Sequence, residues 1–209
     1  MKNIIIFCAH GDDELIGLGG TILKYSKKYN IIKVIFSSGE KSSPHLKESH
    51  IIGERINESE KIGRKAGIKE NIYFHLMDRK LQEFSDDEGI LNQTKDVIGK
   101  YKPAKIFTLT SVDPHPDHRA VNKITMNAIK DIKYSGEVYG YEVWNIIKLN
   151  EPAIYEDITP FMNKKIQLMR EFKSQWMYIY TLILPTYLRA FINGRKIKAR
   201  YAERFFKLK

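Results

Sequence analysis

The chain has 209 residues, 43% of them hydrophobic and 29% charged, the length and balance of one α/β domain with a sizeable core and not of a disordered or fibrous protein. No apolar run approaches the roughly 20 residues of a membrane span, the single cysteine excludes an internal disulfide, and the N-terminal apolar run ends in His and acids instead of a small-residue cleavage site, so a cytoplasmic address is expected. Lys and Arg total 35 against 25 Asp and Glu, a net charge of +10 that favours acidic partners; it is spread along the chain and concentrates only in the tail NGRKIKARYAERFFKLK.

The first apolar run, IIIFCA at 4–9, reads as a strand in which Cys8 is a buried, inert thiol. A helix is expected over 13–28, a second strand over 32–38 and a Gly/Ser/Pro-bearing loop over 37–49, with His45 and His50 as solvated histidines in or beside it. Helix 48–66, strand 72–77 with His75 packed inside it, helix 88–101, strand 105–110, helix 117–132 and strand 138–144 follow. On that last strand Tyr141 and Trp144 read as core, and Glu142, on the opposite face, reads equally as a functional residue or as a partner in a buried ion pair. Near-continuous hydrophobicity means strands covered on both faces, and strand–helix alternation means a parallel sheet. The expected fold is therefore α/β: a three-layer, Rossmann-like, mostly parallel sheet in a single domain. Its core would span 1–150. Residues 151–209 would form a helical segment packed on that core, with one long helix beginning near Thr159 and Pro160.

In open parallel sheets ligands bind beyond the carboxyl ends of the strands, and the polar clusters of this chain fall at such ends. His10, Asp12, Asp13 and Glu14 follow strand one, Asp78 follows the third, and SVDPHPDHR follows the fourth. GLGG, at 17–20, lies inside a helix, so it forms no phosphate cradle. What converges is imidazole and carboxylate, the ligand set of zinc and related divalent metals. His10 and Asp13 are three apart across one strand–helix turn, and His115 and His118 are three apart across another. Two ligands from one corner and one from the other leave a position open for water, as a catalytic zinc requires; a carboxylate outside the ligand set then serves as general base. Residue chemistry leaves open which member of HPDH is the ligand. Glu14 fits as an acid in the first turn of a helix, favoured by the macrodipole.

These residues resemble the PIG-L/LmbE-like family of zinc-dependent N-deacetylases, whose signatures AHPDDE and HPDH stand here as AHGDDE and HPDH. RINESEKIGRKAGI, HLMDRKL, YEVWN, DITPFMNKKIQLMREFKSQ and RYAERF extend the likeness over nearly the whole chain. The resemblance implies zinc, or another divalent metal, held by His10, Asp13 and His118, with Asp12 as general base. It further implies that His115, held by Asp117, is a charged imidazolium that stabilises the oxyanion, and that Arg55 and Asp78 contact substrate hydroxyls. Arg55 could equally pair with Glu58 on its own helix face. Gly11 departs from the usual proline and frees the turn. The implied activity is hydrolysis of the acetamide of an N-acetylated amino sugar, such as an N-acetylglucosamine conjugate; a non-sugar N-acyl substrate is the variant within the same chemistry. A basic lipid- or nucleic-acid-binding protein working through the tail is the reading from another class. No nucleic acid partner is expected; weak peripheral membrane contact through the tail and a homo-oligomer are compatible with the sequence.

Overall fold

The computed structural model describes residues 1–42, 48–144 and 148–209, with the side chains of residues 42 and 48–50 outside that description. His45, and the side chain of His50, therefore lie outside the described residues. Strands β1 (Lys2–Cys8), β2 (Tyr29–Ser37), β3 (Ile68–Leu76), β4 (Lys105–Thr108), β5 (Glu137–Tyr141), β6 (Ala153–Asp157) and β7 (Ala202–Lys207) form one sheet in the order β3-β2-β1-β4-β5-β7-β6. β1 to β5 are parallel, and β7 runs antiparallel to both β5 and β6. Helices α1 (Asp13–Tyr25), α2 (Glu48–Ala66), α3 (Glu88–Tyr101) and α4 (Pro116–Asp131) make the crossovers, and α5 (Met162–Met169) and α6 (Trp176–Arg195) follow β6. α1 packs with α2 and α5, and α3 packs with α4; right-handed crossovers put these two groups on opposite faces, giving three layers.

The strands are parallel because their residues are buried on both sides. Ile4 to Ala9 are all within about 1% of full burial, and the Tyr141 hydroxyl donates to the Phe7 carbonyl across the core at 2.9 Å. Cys8 is fully buried, and burial pushes its thiol well above the usual range, as expected of an inert core cysteine. The order reverses between β1 and β4, each of which sends its chain to opposite sides of the sheet, so their carboxyl ends flank a crevice.

The C-terminal region differs from expectation. Residues 151–209 are not only helical: they supply β6 and β7, which extend the sheet. The expected long helix is two helices, interrupted where Glu58 of α2 accepts hydrogen bonds from the Ser174 backbone N–H (3.0 Å) and hydroxyl (2.5 Å). α1 is itself broken at Leu18, whose backbone leaves the helical region. The freed groups find partners from this late part of the chain. Lys165 Nζ and Arg189 Nη2 donate to the Ile16 carbonyl (2.8 and 3.3 Å), and the Glu203 carboxylate accepts from the N–H groups of Gly20 and Thr21 (2.9 and 2.7 Å). Lys165 and Glu203 also pair with each other at 2.7 Å in near-complete burial. Each such buried group left unpaired would cost about 1–3 kcal/mol. The break needs Gly20, because a Cβ there would lie 2.6 Å from Ile158; this close packing is what GLGG provides.

A candidate metal centre at the switch point

His10 leaves the end of β1, and α1 begins three residues later. Asp13 holds this turn closed: its Oδ2 accepts the N–H groups of Ala9 and His10, both at 2.9 Å. The Gly11 carbonyl is gripped from below, accepting from Lys33 Nζ at 3.3 Å and Ser59 Oγ at 3.2 Å. A Cβ on residue 11 would stand 2.9 Å from Ser59 Oγ, so the serine occupies the room a proline ring would use. Lys33 is wholly buried in β2 and also bonds Glu14 Oε1 at 2.7 Å. Glu14 is thus half of a buried ion pair under the turn, not a surface acid at a helix start.

The second corner is built around α4. His115 is its N-cap: His115 Nδ1 accepts the Asp117 backbone N–H at 3.2 Å, and Pro116 fills the first helical position. Asp113 Oδ1 accepts the His115 N–H at 2.9 Å and lies 3.1 Å from His118 Nδ1. The two corners meet. His118 Nε2 is 3.4 Å from Asp13 Oδ1, and His10 Nδ1 is 3.9 Å from Asp13 Oδ2. One nitrogen or oxygen each from His10, Asp13 and His118 lie within 4.8 Å of one another.

The other nitrogen of each imidazole faces a carboxylate. His10 Nε2 donates to Asp78 Oδ1 at 3.0 Å and lies 3.6 Å from Asp117 Oδ2, while His118 Nδ1 faces Asp113. A carboxylate behind a ligating histidine fixes its tautomer and makes the ligand nitrogen more basic, so the donor set suits a divalent ion: His10 Nδ1, His118 Nε2 and Asp13 toward it, three acids behind. Without an ion, protons take its place. Burial works against charging the imidazoles, but Asp117 and Asp78 push His10 up to about 10, and Asp13 and Asp113 push His118 to about 9. Against the same burial, His118 and His10 hold Asp13 well below the usual carboxylate range, and His10 holds Asp78 at about 2.

A prediction follows for the metal-free protein. Both imidazoles bind protons more tightly folded than unfolded, so their contribution to stability is complete below about pH 6.5 and is lost as pH rises through about 9 and 10. Melting temperature in chelator should fall across that window, and fall less in a His10→Gln, His118→Gln double variant; equal slopes would remove these pairs as the cause.

The remaining expected residues are placed as follows. Asp12 lines the cleft, with Oδ1 3.5 Å from Arg55 Nη2. Arg55 is buried, also donates to the Gly39 carbonyl at 3.1 Å, and does not pair with Glu58, which is held by Ser174. Asp78 lines the cleft, where its carboxylate accepts from His10 and from the Lys41 N–H (3.1 Å). Asp117 is engaged by the N–H groups of Arg79 and Leu81 (2.9 and 3.1 Å) and by His10; its backbone, not its carboxylate, holds His115. His115 Nδ1 accepts the Asp117 N–H, and burial together with the neighbouring His118 and His10 lowers the His115 pKa, which bears against the charged imidazolium that the resemblance implies.

Sequence reasoning missed Asp113 and Glu40, whose Oε1 accepts the Asp78 N–H at 2.7 Å. It also took Trp144 for core. Trp144 is 42% exposed and joins Ile16, Val143, Tyr178 and Leu182 as the apolar wall of a cleft of about 390 Å³ whose polar wall includes His10, Asp12, Asp13, Arg55, Asp78, His115 and His118. His75 is exposed and stacks on Tyr73, and Glu142 pairs with Arg204, the second of its two open readings.

The family described as PIG-L, GlcNAc-PI de-N-acetylase, matches residues 5–129. A diacetylchitobiose deacetylase from Thermococcus kodakarensis is 23% identical over 221 residues, covering 97% of this chain and 82% of that protein. The structure of N,N'-diacetylchitobiose deacetylase from Pyrococcus horikoshii superposes with a TM-score of 0.84 at 25% identity, covering 99% of this chain and 84% of the other. GalB, a 4-carboxy-2-hydroxymuconate hydratase from Pseudomonas putida, superposes with a TM-score of 0.86 at 18% identity, covering 100% and 97%. One architecture thus carries hydrolysis and hydration, and the reaction has to be argued from the site.

Proposed function

The chain belongs to the PIG-L (GlcNAc-PI de-N-acetylase) family, and from that premise we propose that it is a metal-dependent amidohydrolase that removes the acetyl group from an N-acetylated amino sugar or sugar conjugate. The observation that carries the reading is the convergence of His10, Asp13 and His118 within 4.8 Å, beside the carboxylate of Asp12 in the same cleft. His10 Nδ1, Asp13 and His118 Nε2 would hold the ion, zinc or another divalent metal that accepts nitrogen and oxygen donors. Bound there, it supplies a Lewis acid and brings the pKa of a water to about 7.

The protein's own groups do the rest. Asp12 takes a proton from the attacking water and returns it to the amide nitrogen as the C–N bond breaks, releasing acetate and a free amine. Arg55 holds Asp12 in place through its guanidinium and is itself fixed on the Gly39 carbonyl. His115, neutral and anchored at Nδ1, directs its Nε2–H into the cleft to meet the carbonyl oxygen as it gains charge; a preorganised donor of this kind is worth about 3–4 kcal/mol. Trp144 and Tyr178 offer the flat apolar surface on which the C–H face of a sugar ring packs.

The test is acetate release from a panel of N-acetylated monosaccharides, disaccharides and sugar conjugates, before and after chelation and after zinc is restored. Release that disappears with chelator and returns with zinc is expected. No release from any sugar, alongside turnover of a non-sugar N-acyl amide, would overturn the substrate class; turnover indifferent to chelator would overturn the metal.

A further inference from the structure

We propose that the outer face of α6 docks on an anionic membrane surface. The inner face of this helix is committed to the domain through Ile179, Thr186 and Ala190, all buried. The outer face carries Met177, Tyr180, Leu184, Leu188 and Phe191, between 44% and 65% exposed. Their spacings of three, four, four and three residues put them in one stripe, and the 14 steps from Met177 to Phe191 at 1.5 Å each make it about 21 Å long. Trp176, Tyr178 and Ile192 widen the stripe with further exposed apolar surface. Scattered exposed apolar residues are ordinary, but a continuous band of this size marks an interaction surface.

Charge decides what covers it. Residues 176–202 contain no Asp or Glu at all, while Arg195, Lys196, Lys198 and Arg200 stand exposed directly beyond the apolar stripe. An apolar band ending in a cluster of cations complements a bilayer with anionic headgroups. A second copy of the chain fits less well. A two-fold interface uses the same patch on both subunits, and that patch offers no Asp or Glu to pair with the cations at its end. The helix lies on the membrane and does not cross it: among the described residues no helix is long and apolar enough to span a bilayer. Its aromatic end, Trp176, Tyr178 and Tyr180, has the ring chemistry enriched at the headgroup boundary. Tyr178, Thr181 and Leu182 also wall the cleft, so docking sets the mouth of the cleft beside the lipid surface. None of this rests on the reaction the cleft performs.

The test is cosedimentation of the full chain with phosphatidylcholine vesicles, with and without about 30 mol % phosphatidylglycerol, at low and high salt. Binding to the anionic vesicles alone, weakened as salt screens the headgroups, is expected. Leu184→Gln with Leu188→Gln should reduce it at least about tenfold, and Lys196→Gln with Lys198→Gln should reduce it and flatten the salt dependence, with melting temperature unchanged in both. Absence of wild-type binding, or equal binding to neutral vesicles, overturns the proposal. So does a wild-type oligomer in sedimentation velocity that dissociates in the Leu184→Gln, Leu188→Gln variant without any vesicle binding, which assigns the face to a second copy.

Discussion

Asp12→Asn should leave the protein folded and able to bind one zinc ion per chain, and should lower turnover roughly 100- to 10,000-fold, the range by which a positioned general base accelerates a reaction. The asparagine keeps the shape of the side chain and a carbonyl oxygen for Arg55, 3.5 Å away, but it cannot take up a proton at neutral pH. The ligand set does not include residue 12, so metal content should not change. His118→Ala makes the contrast: it removes one of three converging donors and leaves Asp113 buried without the ring it faces, so zinc and activity should be lost together. Metal content by elemental analysis, set beside acetate release, separates the two. Wild-type turnover in Asp12→Asn would strip residue 12 of the base role, and zinc retained at full stoichiometry in His118→Ala would redraw the ligand set.

Lys33→Met is expected to be the most damaging substitution away from the metal ligands, costing about 3–5 kcal/mol of folding free energy. Lys33 is wholly buried and bonds three groups: Glu14, the Gly11 carbonyl and Ser59. Methionine fills a similar volume but leaves the Glu14 carboxylate buried beside Asp13 with its cation gone. Adding Glu14→Gln should recover the part of the loss that comes from forcing a proton onto Glu14, which burial already pushes up to about 7 with Lys33 beside it. Urea unfolding of the single and double variants checks this; a single variant within about 1 kcal/mol of wild type would mean that water reaches the pair and screens it.

The convergence of His10, Asp13 and His118 was readable because topology restricts where these residue types sit: His10, Asp12, Asp13 and His118 follow the two strands that flank the reversal of sheet order. The direction of a side chain is not restricted in that way. Asp78 and Asp117 were legible as acids at the site, but nothing in HLMDRKL or HPDH says that both carboxylates reach His10. Asp113 was hidden by its setting, since an acid before proline reads as a turn residue; an acid five positions before a ligating histidine was the available signal. β7 was invisible for a different reason. AERFFK places Glu203 and Arg204 in mid-strand, and these become admissible there only through Lys165, the α1 backbone and Glu142, partners far away in sequence. The break before α6 likewise depends on Glu58, 116 positions upstream of Ser174.

The break in α1 also sets an order of assembly. The helix that begins at Asp13 is completed by a carboxylate 183 positions beyond Gly20. At about 5–20 residues per second of synthesis, the N–H groups of Gly20 and Thr21 wait roughly 10 to 40 s for Glu203 to emerge. The corner at His10 can close early, on Asp13, Lys33 and Ser59, but the half of α1 beyond Leu18 stays unfinished until then. A nascent chain stalled before β7 therefore holds the cluster of His10, Asp13 and His118 beside a helix whose second half lacks its partner.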